Sequence, residues 1–454
     1  MSFEVINPAT GEKVTEIPVW DSLQLESGLA AVAAASPVWR NTPMSDRCLL
    51  MHKAAAVLRA NKEKYAATVT QEMGKLINDS RAEVEKCATA CDFYADNGPV
   101  FLADEMIDSD AGKSYVAYLP LGTVLAVMPW NFPLWQVFRF AAPALVAGNT
   151  AVLKHASNVP QCALLIEDVF KEAGFPENVF RSLMIRASQV QAVIEDPRIH
   201  AVTLTGSEPA GRQVAATAGA NLKKSVLELG GSDAFIVLED ADLDLTVQNA
   251  VVSRFLNTGQ SCIAAKRFIV VDAIAEDFVA RFKAGVEALK VGDPMDESTT
   301  LAPMAREDLR DDLHIQVADT LAAGAVAVTG CKPVAGPGAF YKASILDRVE
   351  PGMRAYHEEL FGPVAIVIHA RDEEDALRIA NDSPYGLGGS VWTQDSSRGE
   401  RLARQVESGC TFVNGMVKSD ARLPFGGIKN SGYGRELSKH GIREFTNAKT
   451  LWIK

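Results

Sequence analysis

The stretch Ala201-Val202-Thr203-Leu204-Thr205-Gly206-Ser207-Glu208-Pro209-Ala210-Gly211 decides the fold class of this chain. It begins with a short apolar run that favours a strand, and small residues then lead into the start of a helix. Free N–H groups at a helix N-terminus suit a pyrophosphate. An ordinary strand-to-helix turn has a similar composition, and the stretch is neither a complete G-x-G-x-x-G motif nor a P-loop. It therefore predicts a βα unit and leaves its ligand open.

Similar apolar runs recur along the chain and alternate with helical stretches. They cover residues 150–153, 234–238, 268–271, 364–368, 390–393 and 411–413. This alternation is typical of βαβ units on parallel sheets, so we expect an α/β protein. Two amphipathic helices are predicted between Ser45 and Tyr94. A strand pair, or a strand that leads into a core strand, is predicted across residues 114–128.

Charge and composition argue against several kinds of partner. The 454 residues carry a net charge of −12 without a basic run, which disfavours nucleic acid and anionic membranes. The N-terminus has no signal-peptide pattern and no apolar stretch is long enough to cross a bilayer, so we expect a cytoplasmic protein. Seven scattered cysteines fit reduced thiols. The histidines show no metal-ligand spacing, so we expect no metal.

One thiol and one carboxylate stand next to glycine-containing segments. Cys262 ends the segment Asn257-Thr258-Gly259-Gln260-Ser261-Cys262, and Glu228 begins Glu228-Leu229-Gly230-Gly231. A thiolate is a strong nucleophile, and a carboxylate can activate water for a later hydrolytic step. Taken singly, a buried thiol and a turn residue are the plainer interpretations. Together the two groups predict covalent catalysis through a thioester.

Arg139 is the single charged residue between Lys113 and Lys154. Asn131 is a plausible helix cap with Pro133 in the first turn, which would place Asn131, Trp135 and Arg139 on one helical face. A buried guanidinium requires an anion. That anion could be a substrate carboxylate or an acidic side chain elsewhere in the fold, and the sequence leaves both possibilities open.

Several separate motifs, taken in order, resemble the aldehyde dehydrogenase superfamily over nearly the whole chain. They are Ile6-Asn7-Pro8-Ala9-Thr10-Gly11-Glu12, Pro129-Trp130-Asn131-Phe132-Pro133, Leu153-Lys154, Thr205-Gly206-Ser207, Glu228-Leu229-Gly230-Gly231, Gly259-Gln260-Ser261-Cys262, Glu358-Glu359-Leu360-Phe361-Gly362-Pro363 and Pro424-Phe425-Gly426-Gly427-Ile428-Lys429-Asn430-Ser431-Gly432.

The resemblance implies a domain organisation and an assembly. A Rossmann-like dinucleotide-binding domain would comprise residues 1–107 and 127–228, and an α/β catalytic domain residues 229–433. A small β oligomerisation element would comprise residues 108–126 and 434–454. A homodimer or homotetramer is expected.

The resemblance also assigns the three catalytic residues. Cys262 would attack the aldehyde carbon, and the resulting oxyanion would be held by the Asn131 side-chain amide and the Cys262 backbone N–H. After hydride transfer to the nicotinamide, water activated by Glu228 would hydrolyse the thioester.

The same resemblance implies a cofactor site. Lys154 and Glu359 match positions that hold ribose hydroxyls, Ser207 matches a pyrophosphate contact, and Phe361 matches a position beside the nicotinamide ribose. NAD-preferring members commonly carry Glu at the position of Ser157, whose small hydroxyl would admit a 2′-phosphate. We therefore expect NADP to be preferred and NAD to be accepted. The expected cofactor-binding residues are Trp130, Lys154, Ser157, Gly206, Ser207, Glu359 and Phe361.

Within the family, residues 135–139 and 414–420 look most similar to bacterial succinate-semialdehyde dehydrogenases of the shorter type. That similarity implies that Arg139 pairs with the distal carboxylate of succinate semialdehyde, and that Ser261 or Ser419 adds a hydrogen bond. Trp135 shares the helical face of Arg139, and Phe425 matches a position near the substrate tunnel.

Other functions remain open from the sequence. The substrate could be another aldehyde, such as glutarate semialdehyde or an aromatic aldehyde. An acylating enzyme that passes the thioester to coenzyme A is disfavoured by the presence of Glu228. A catalytically silent binding paralogue is disfavoured by the presence of all three of Cys262, Glu228 and Asn131.

Overall fold

The computed structural model describes all of residues 1–454 and confirms the α/β fold class. The helices are α1 (Ser22–Asn41), α2 (Met44–Ala60), α3 (Lys62–Met73), α4 (Ile77–Phe101), α5 (Trp135–Val146), α6 (Pro160–Glu172), α7 (Val190–Glu195), α8 (Glu208–Ala220), α9 (Leu243–Phe255), α10 (Asp272–Glu287), α11 (Glu307–Ala322), α12 (Arg354–His357), α13 (Glu373–Asn381), α14 (Ser396–Ala403) and α15 (Ser438–Glu444).

The strands form five sheets. They are β1 (Ser2–Ile6), β2 (Lys13–Pro18), β3 (Glu105–Met106), β4 (Lys113–Pro120), β5 (Thr123–Met128), β6 (Thr150–His155), β7 (Phe180–Ser182), β8 (Ile199–Thr205), β9 (Lys224–Glu228), β10 (Asp233–Val237), β11 (Ala265–Val271), β12 (Val326–Thr329), β13 (Ser344–Asp347), β14 (Val364–Ala370), β15 (Tyr385–Gly386), β16 (Gly388–Trp392), β17 (Cys410–Val413), β18 (Ile428–Lys429), β19 (Gly432–Tyr433) and β20 (Thr446–Ile453).

The first large sheet has six strands in the order β19-β9-β8-β5-β6-β7. All neighbours are parallel except β19, which runs antiparallel to β9. Strands β5, β6 and β8 are apolar and almost wholly buried, as expected for parallel strands covered by helices on both faces. Their carboxyl ends lie at one edge of the sheet, where open α/β sheets bind ligands.

The second large sheet has seven strands in the order β12-β13-β14-β11-β10-β16-β17. It is parallel apart from the antiparallel edge strand β12. Residues 229–232 pass directly from β9 in the first sheet to β10 in the second. The short Gly-containing crossing therefore lies between the two sheets.

The third sheet is antiparallel and has the order β20-β4-β3. Strand β4 pairs with all eight residues of β20 and does not pair with β5. Strand β4 thus leads into the core strand β5 without pairing with it, and the alternative of a strand pair is wrong. The expected domain boundary between residues 126 and 127 falls inside β5 of the six-stranded sheet.

Residues 45–94 fold into three helices, so the prediction of two is wrong. Gly74 ends α3 in the left-handed conformation with φ of 80°, and α4 then begins at Ile77. Asn61 separates α2 from α3. The apolar periodicity continues across both breaks, which is why it did not reveal them. Helix α4 packs against α2, α3 and α5.

Candidate active site

Cys262 lies in a tightly turned loop between α9 and β11. Asn257 and Thr258 adopt φ of 53° and 55°, and Gly259 adopts 71°. A Cβ atom on Gly259 would lie 2.3 Å from the carbonyl oxygen of Gly362, so only glycine fits there. The Lys266 ammonium donates hydrogen bonds to the Ser261 and Cys262 carbonyl oxygens, each 2.9 Å away. The backbone therefore holds Cys262 in one orientation.

The Cys262 thiol is half-buried and lies in an environment that opposes ionisation. Burial raises its pKa to about 12, against the smaller opposing effect of the positive charges of Arg139 and Lys266. The resting side chain is consequently a thiol at neutral pH, and it must lose its proton before it can attack a carbonyl.

Glu228 ends β9 and is almost wholly buried, with 2% exposure. Neither carboxylate oxygen has a hydrogen-bond partner. Burial raises the pKa of this carboxyl well above its usual range. The negative charge of Glu436 adds to that rise, and Arg139 opposes it. A Cβ atom on Gly426 would lie 2.8 Å from Glu228 Oε1, so a glycine keeps room for the carboxyl.

The segments that carry Glu228 and Cys262 meet in space. A Cβ atom on Gly231 would lie 2.7 Å from the Cys262 carbonyl oxygen. Burial and then the charge of Asp233 raise the pKa of the half-buried Cys410, and Glu228 and Cys262 lie close enough to add to that rise. The fold thus brings together the two groups that the sequence singled out as a pair.

Asn131 is buried beside the same loop. Its side-chain Nδ2 donates a hydrogen bond to the Gln260 backbone carbonyl oxygen over 3.1 Å. Its backbone carbonyl oxygen accepts one from Asn257 Nδ2 over 2.8 Å. The loop that carries the thiol is thereby tied to the amide expected to hold an oxyanion.

The prediction that Asn131 caps a helix is wrong. Helix α5 begins at Trp135, and Glu83 Oε1 on α4 accepts hydrogen bonds from the backbone N–H groups of Leu134 and Trp135, each 2.9 Å away. A carboxylate at this position also complements the helix dipole. No local pattern indicates that a residue on another helix supplies the cap.

Arg139 is buried on α5, and its charge has a partner within the protein. Its guanidinium forms an ion pair with the buried Glu436, and Nη2 donates to Thr205 Oγ1 over 3.3 Å. Of the two anions that the sequence left possible for Arg139, the structure contains the acidic side chain, Glu436. Arg139 also lines the cavity beside Cys262, so its expected contact with a substrate carboxylate stays a prediction.

A cavity of about 100 Å³ opens beside Cys262. This volume equals that of a few water molecules at roughly 30 Å³ each, so it suits a short substrate. All five residues predicted to bind substrate line it. The lining residues are Lys86, Phe132, Trp135, Gln136, Arg139, Ser253, Leu256, Ser261, Cys262, Ile263, Ala264, Met416, Val417, Lys418, Ser419 and Phe425.

Lys86 also lines this cavity, but it is not among the residues predicted from the sequence to bind substrate. It lies on α4, and its ammonium donates a hydrogen bond to Ser419 Oγ over 2.7 Å and lies 4.2 Å from the centre of the Trp135 ring. A lysine on an amphipathic helix is ordinarily a solvated surface residue. The available signal was its place in the sequence between the buried residues Val84 and Cys87, which puts it at the edge of the buried face of α4.

The expected cofactor residues follow the carboxyl ends of parallel strands. Lys154 lies near the end of β6, is buried, and pairs with no carboxylate; burial lowers its pKa. Ser157 is exposed in the loop that follows. Gly206 and Ser207 connect β8 to α8, and Ser207 makes no side-chain cap bond to this helix. An unpaired cation and a helix N-terminus fit the phosphates and ribose of a dinucleotide.

The remaining expected cofactor residues lie near the catalytic loop. Trp130 and Phe361 pack edge to face, with ring centres 5.8 Å apart. Glu359 Oε1 accepts a hydrogen bond from the Gly231 N–H over 3.1 Å and pairs with Lys266 at 3.2 Å. Its role as a ribose contact stays a prediction, because its carboxylate is bonded to protein donors here.

The chain contains no group of three or more His, Cys, Asp or Glu side chains arranged to hold a metal ion. None of its helices combines the length and the apolar character needed to cross a membrane.

Comparisons with known proteins agree with this geometry. The model of the aldehyde dehydrogenase family matches residues 1–451. A Synechocystis protein named as a probable NADP(+) succinate-semialdehyde dehydrogenase is 50% identical over 453 residues, which covers 100% of both chains. An Escherichia coli succinate-semialdehyde dehydrogenase of the NAD(P)+ type is 50% identical over 447 residues, 98% of this chain and 97% of the relative.

Solved structures give the same result. A crystal structure of succinic semialdehyde dehydrogenase from Streptococcus pyogenes, in complex with NADP+, has a TM-score of 0.98 and 39% identity and covers 99% of each chain. The family model, the relatives and the arrangement of Cys262, Glu228 and Asn131 point to one conclusion: this chain belongs to the aldehyde dehydrogenase family and is an NAD(P)-dependent aldehyde dehydrogenase.

Proposed function

We propose that this enzyme oxidises succinate semialdehyde to succinate, with NADP+ as the preferred oxidant and NAD+ as an accepted one. The observation that carries the proposal is the small cavity beside Cys262, because it combines apolar walls with polar and cationic side chains that suit a short aldehyde with a carboxylate. Full-length relatives at 50% identity that bear this name support it.

The catalytic cycle begins at Cys262. After its thiol proton passes to water, its sulfur adds to the aldehyde carbon, and the new oxyanion accepts hydrogen bonds from Asn131 Nδ2 and the Cys262 backbone N–H. A dinucleotide held by Lys154, Ser157 and the N-terminus of α8 would supply the hydride acceptor. Loss of the hydride from the same carbon leaves a thioester on Cys262.

Glu228 serves the second half of the cycle. It removes a proton from the water that attacks the thioester carbon, and the carboxylic acid product leaves as Cys262 sulfur is released. Burial, and after it the charge of Glu436, raise the pKa of the Glu228 carboxyl well above its usual range. Glu228 acts as a base only when it is ionised, and the neighbouring Arg139 charge favours that form.

Lys154, Ser157 and the N-terminus of α8 hold the dinucleotide in this proposal. Ser157 is exposed and uncharged, so it does not repel a 2′-phosphate. We expect kcat/KM for NADP to exceed that for NAD in the wild type. Ser157→Glu should lower kcat/KM for NADP by about 10- to 100-fold, because a carboxylate replaces a hydroxyl beside the phosphate. A wild type that prefers NAD, with a ratio unchanged in Ser157→Glu, would overturn this assignment.

The substrate is tested by initial rates with succinate semialdehyde, glutarate semialdehyde and butanal, each with NAD and with NADP. We expect the highest kcat/KM for succinate semialdehyde with NADP. A higher value for glutarate semialdehyde or an aromatic aldehyde would move the assignment to that substrate within the same family.

The assembly of the enzyme is also a proposal. Trp452 and Ile453 on β20 are about half exposed, and β20 forms an edge of its three-stranded sheet. An exposed apolar edge strand favours pairing with a second copy of the chain. A homodimer or homotetramer is therefore the expected form in solution, and the cytoplasm its expected location.

A further inference from the structure

We propose that Lys86 is the specificity-determining residue of this enzyme: its ammonium binds the distal carboxylate of the substrate, with Ser419 as a second donor. The inference rests on the proposed oxidation of a semialdehyde. It departs from the sequence-based expectation, which gave this role to Arg139.

Arg139 is poorly suited to hold a substrate anion by itself. Its guanidinium and Glu436 form a buried ion pair within the protein, and Nη2 is engaged with Thr205 Oγ1. Glu436 therefore balances the charge of Arg139 without any substrate. An incoming carboxylate beside Arg139 would add a negative charge next to the buried Glu436, which already pairs with that guanidinium.

Lys86 has the opposite situation. Its side chain is half-buried at the cavity, and no carboxylate of the protein pairs with it. One of its three N–H donors goes to Ser419 Oγ over 2.7 Å, which leaves two for a ligand. Burial, followed by the positive charge of Arg139, lowers its pKa to about 8. A carboxylate is the chemical class that relieves both effects.

The position of Lys86 is fixed on two sides. The face of the Trp135 ring lies 4.2 Å from the ammonium, a distance at which the ring stabilises the cation. One turn earlier on α4, Glu83 accepts hydrogen bonds from the first N–H groups at the start of α5, so the two helices are held together at this point. The ammonium is thereby presented to the cavity that contains Cys262.

The test compares Lys86→Met and Lys86→Arg with the wild type, using succinate semialdehyde and butanal with saturating NADP. Methionine keeps an unbranched apolar chain and removes the charge, whereas arginine keeps the charge. We expect Lys86→Met to raise KM for succinate semialdehyde about 10- to 100-fold and to leave kcat and KM for butanal near wild type. Lys86→Arg should recover most of the loss.

Lys53→Met is the matched control, because Lys53 on α2 is exposed to solvent and does not line the cavity. A change in Lys53→Met as large as that in Lys86→Met would overturn the assignment. Equal effects of Lys86→Met on both aldehydes, or no effect on either, would overturn it as well. A wild type that does not prefer succinate semialdehyde to butanal would instead refute the proposed function, and the role of Lys86 with it.

Discussion

At the scale of single residues, burial opposes the ionisation of both reactive groups. It raises the pKa of the Cys262 thiol to about 12 and the pKa of the Glu228 carboxyl well above its usual range. This has the advantage that an unliganded thiol reacts slowly with oxidants and electrophiles. The raised pKa values also predict how the alkylation rate of Cys262 and the acid side of the kcat/KM profile depend on pH.

The first consequence concerns alkylation of Cys262 in the free enzyme. Its rate with iodoacetamide should rise about tenfold per pH unit from pH 7 to pH 10 without a plateau, because the thiolate fraction grows until the pH reaches the pKa. Quantification of the Cys262 peptide by mass spectrometry gives the rate at this residue alone. A plateau near pH 8 would mean that the thiolate is already formed in the free enzyme.

The second consequence concerns Glu228 and its neighbour Glu436. Glu436→Gln removes a negative charge that raises the Glu228 pKa, so the acid-side midpoint of the kcat/KM profile should fall by about one pH unit. The same change leaves Arg139 without its anion and should cost roughly 3–5 kcal/mol of unfolding free energy. Glu444→Gln is the control, since the Glu444 charge is the smallest cause of the rise. If the acid-side midpoint of Glu436→Gln shifted only as much as that of Glu444→Gln, or shifted upward, the charge of Glu436 would not raise the pKa of Glu228.

At the scale of elements, the junction of α4 with α5 positions the site. Glu83 on α4 accepts hydrogen bonds from the N–H groups of Leu134 and Trp135 at the start of α5. It also forms a buried ion pair with Lys75, which lies in the loop before α4. These contacts lie next to Asn131, Trp135 and Lys86. The distance between an oxyanion donor and a carboxylate-binding cation therefore depends on how these helices pack.

We expect Glu83→Gln to lower the unfolding free energy by roughly 3–5 kcal/mol, because Lys75 loses its buried anion. The kcat should fall too, as the start of α5 loses its capping carboxylate. Thermal denaturation and initial rates would measure both. Glu85→Gln, which breaks an exposed ion pair with Arg59 on the same helix, should cost at most about 1 kcal/mol. Similar losses in the two variants would show that the capping contact is unimportant.

At the scale of the whole molecule, the three-stranded sheet is separate from the two large ones, and its edge strand β20 carries the exposed side chains of Trp452 and Ile453. Substitution of both by Lys should shift the protein toward monomers, because the edge then carries charges that repel a second copy. Light scattering after size-exclusion chromatography would give the mass. An unchanged mass would place the interface elsewhere.

The α/β class and the chemistry of the site could be predicted from local patterns. The alternation of apolar runs with helical stretches depends on which side chains avoid water, and each short segment carries its own pattern of such side chains. The roles of Cys262 as nucleophile and Glu228 as base could be predicted because a thiol and a carboxylate carry that chemistry themselves. The breaks at Asn61 and Gly74, in contrast, lay inside a continuous apolar periodicity and were missed.

The sequence by itself determined that this protein is an α/β enzyme of the aldehyde dehydrogenase family with a thiol nucleophile, because strand periodicity and reactive groups are properties of short segments. Only the tertiary structure decided which charges are satisfied. Glu436 lies far from Arg139 in the chain yet neutralises it, while Lys86 meets Trp135 and Ser419 without any anion. Such pairings depend on distances across the fold, which residue spacing along the chain does not encode.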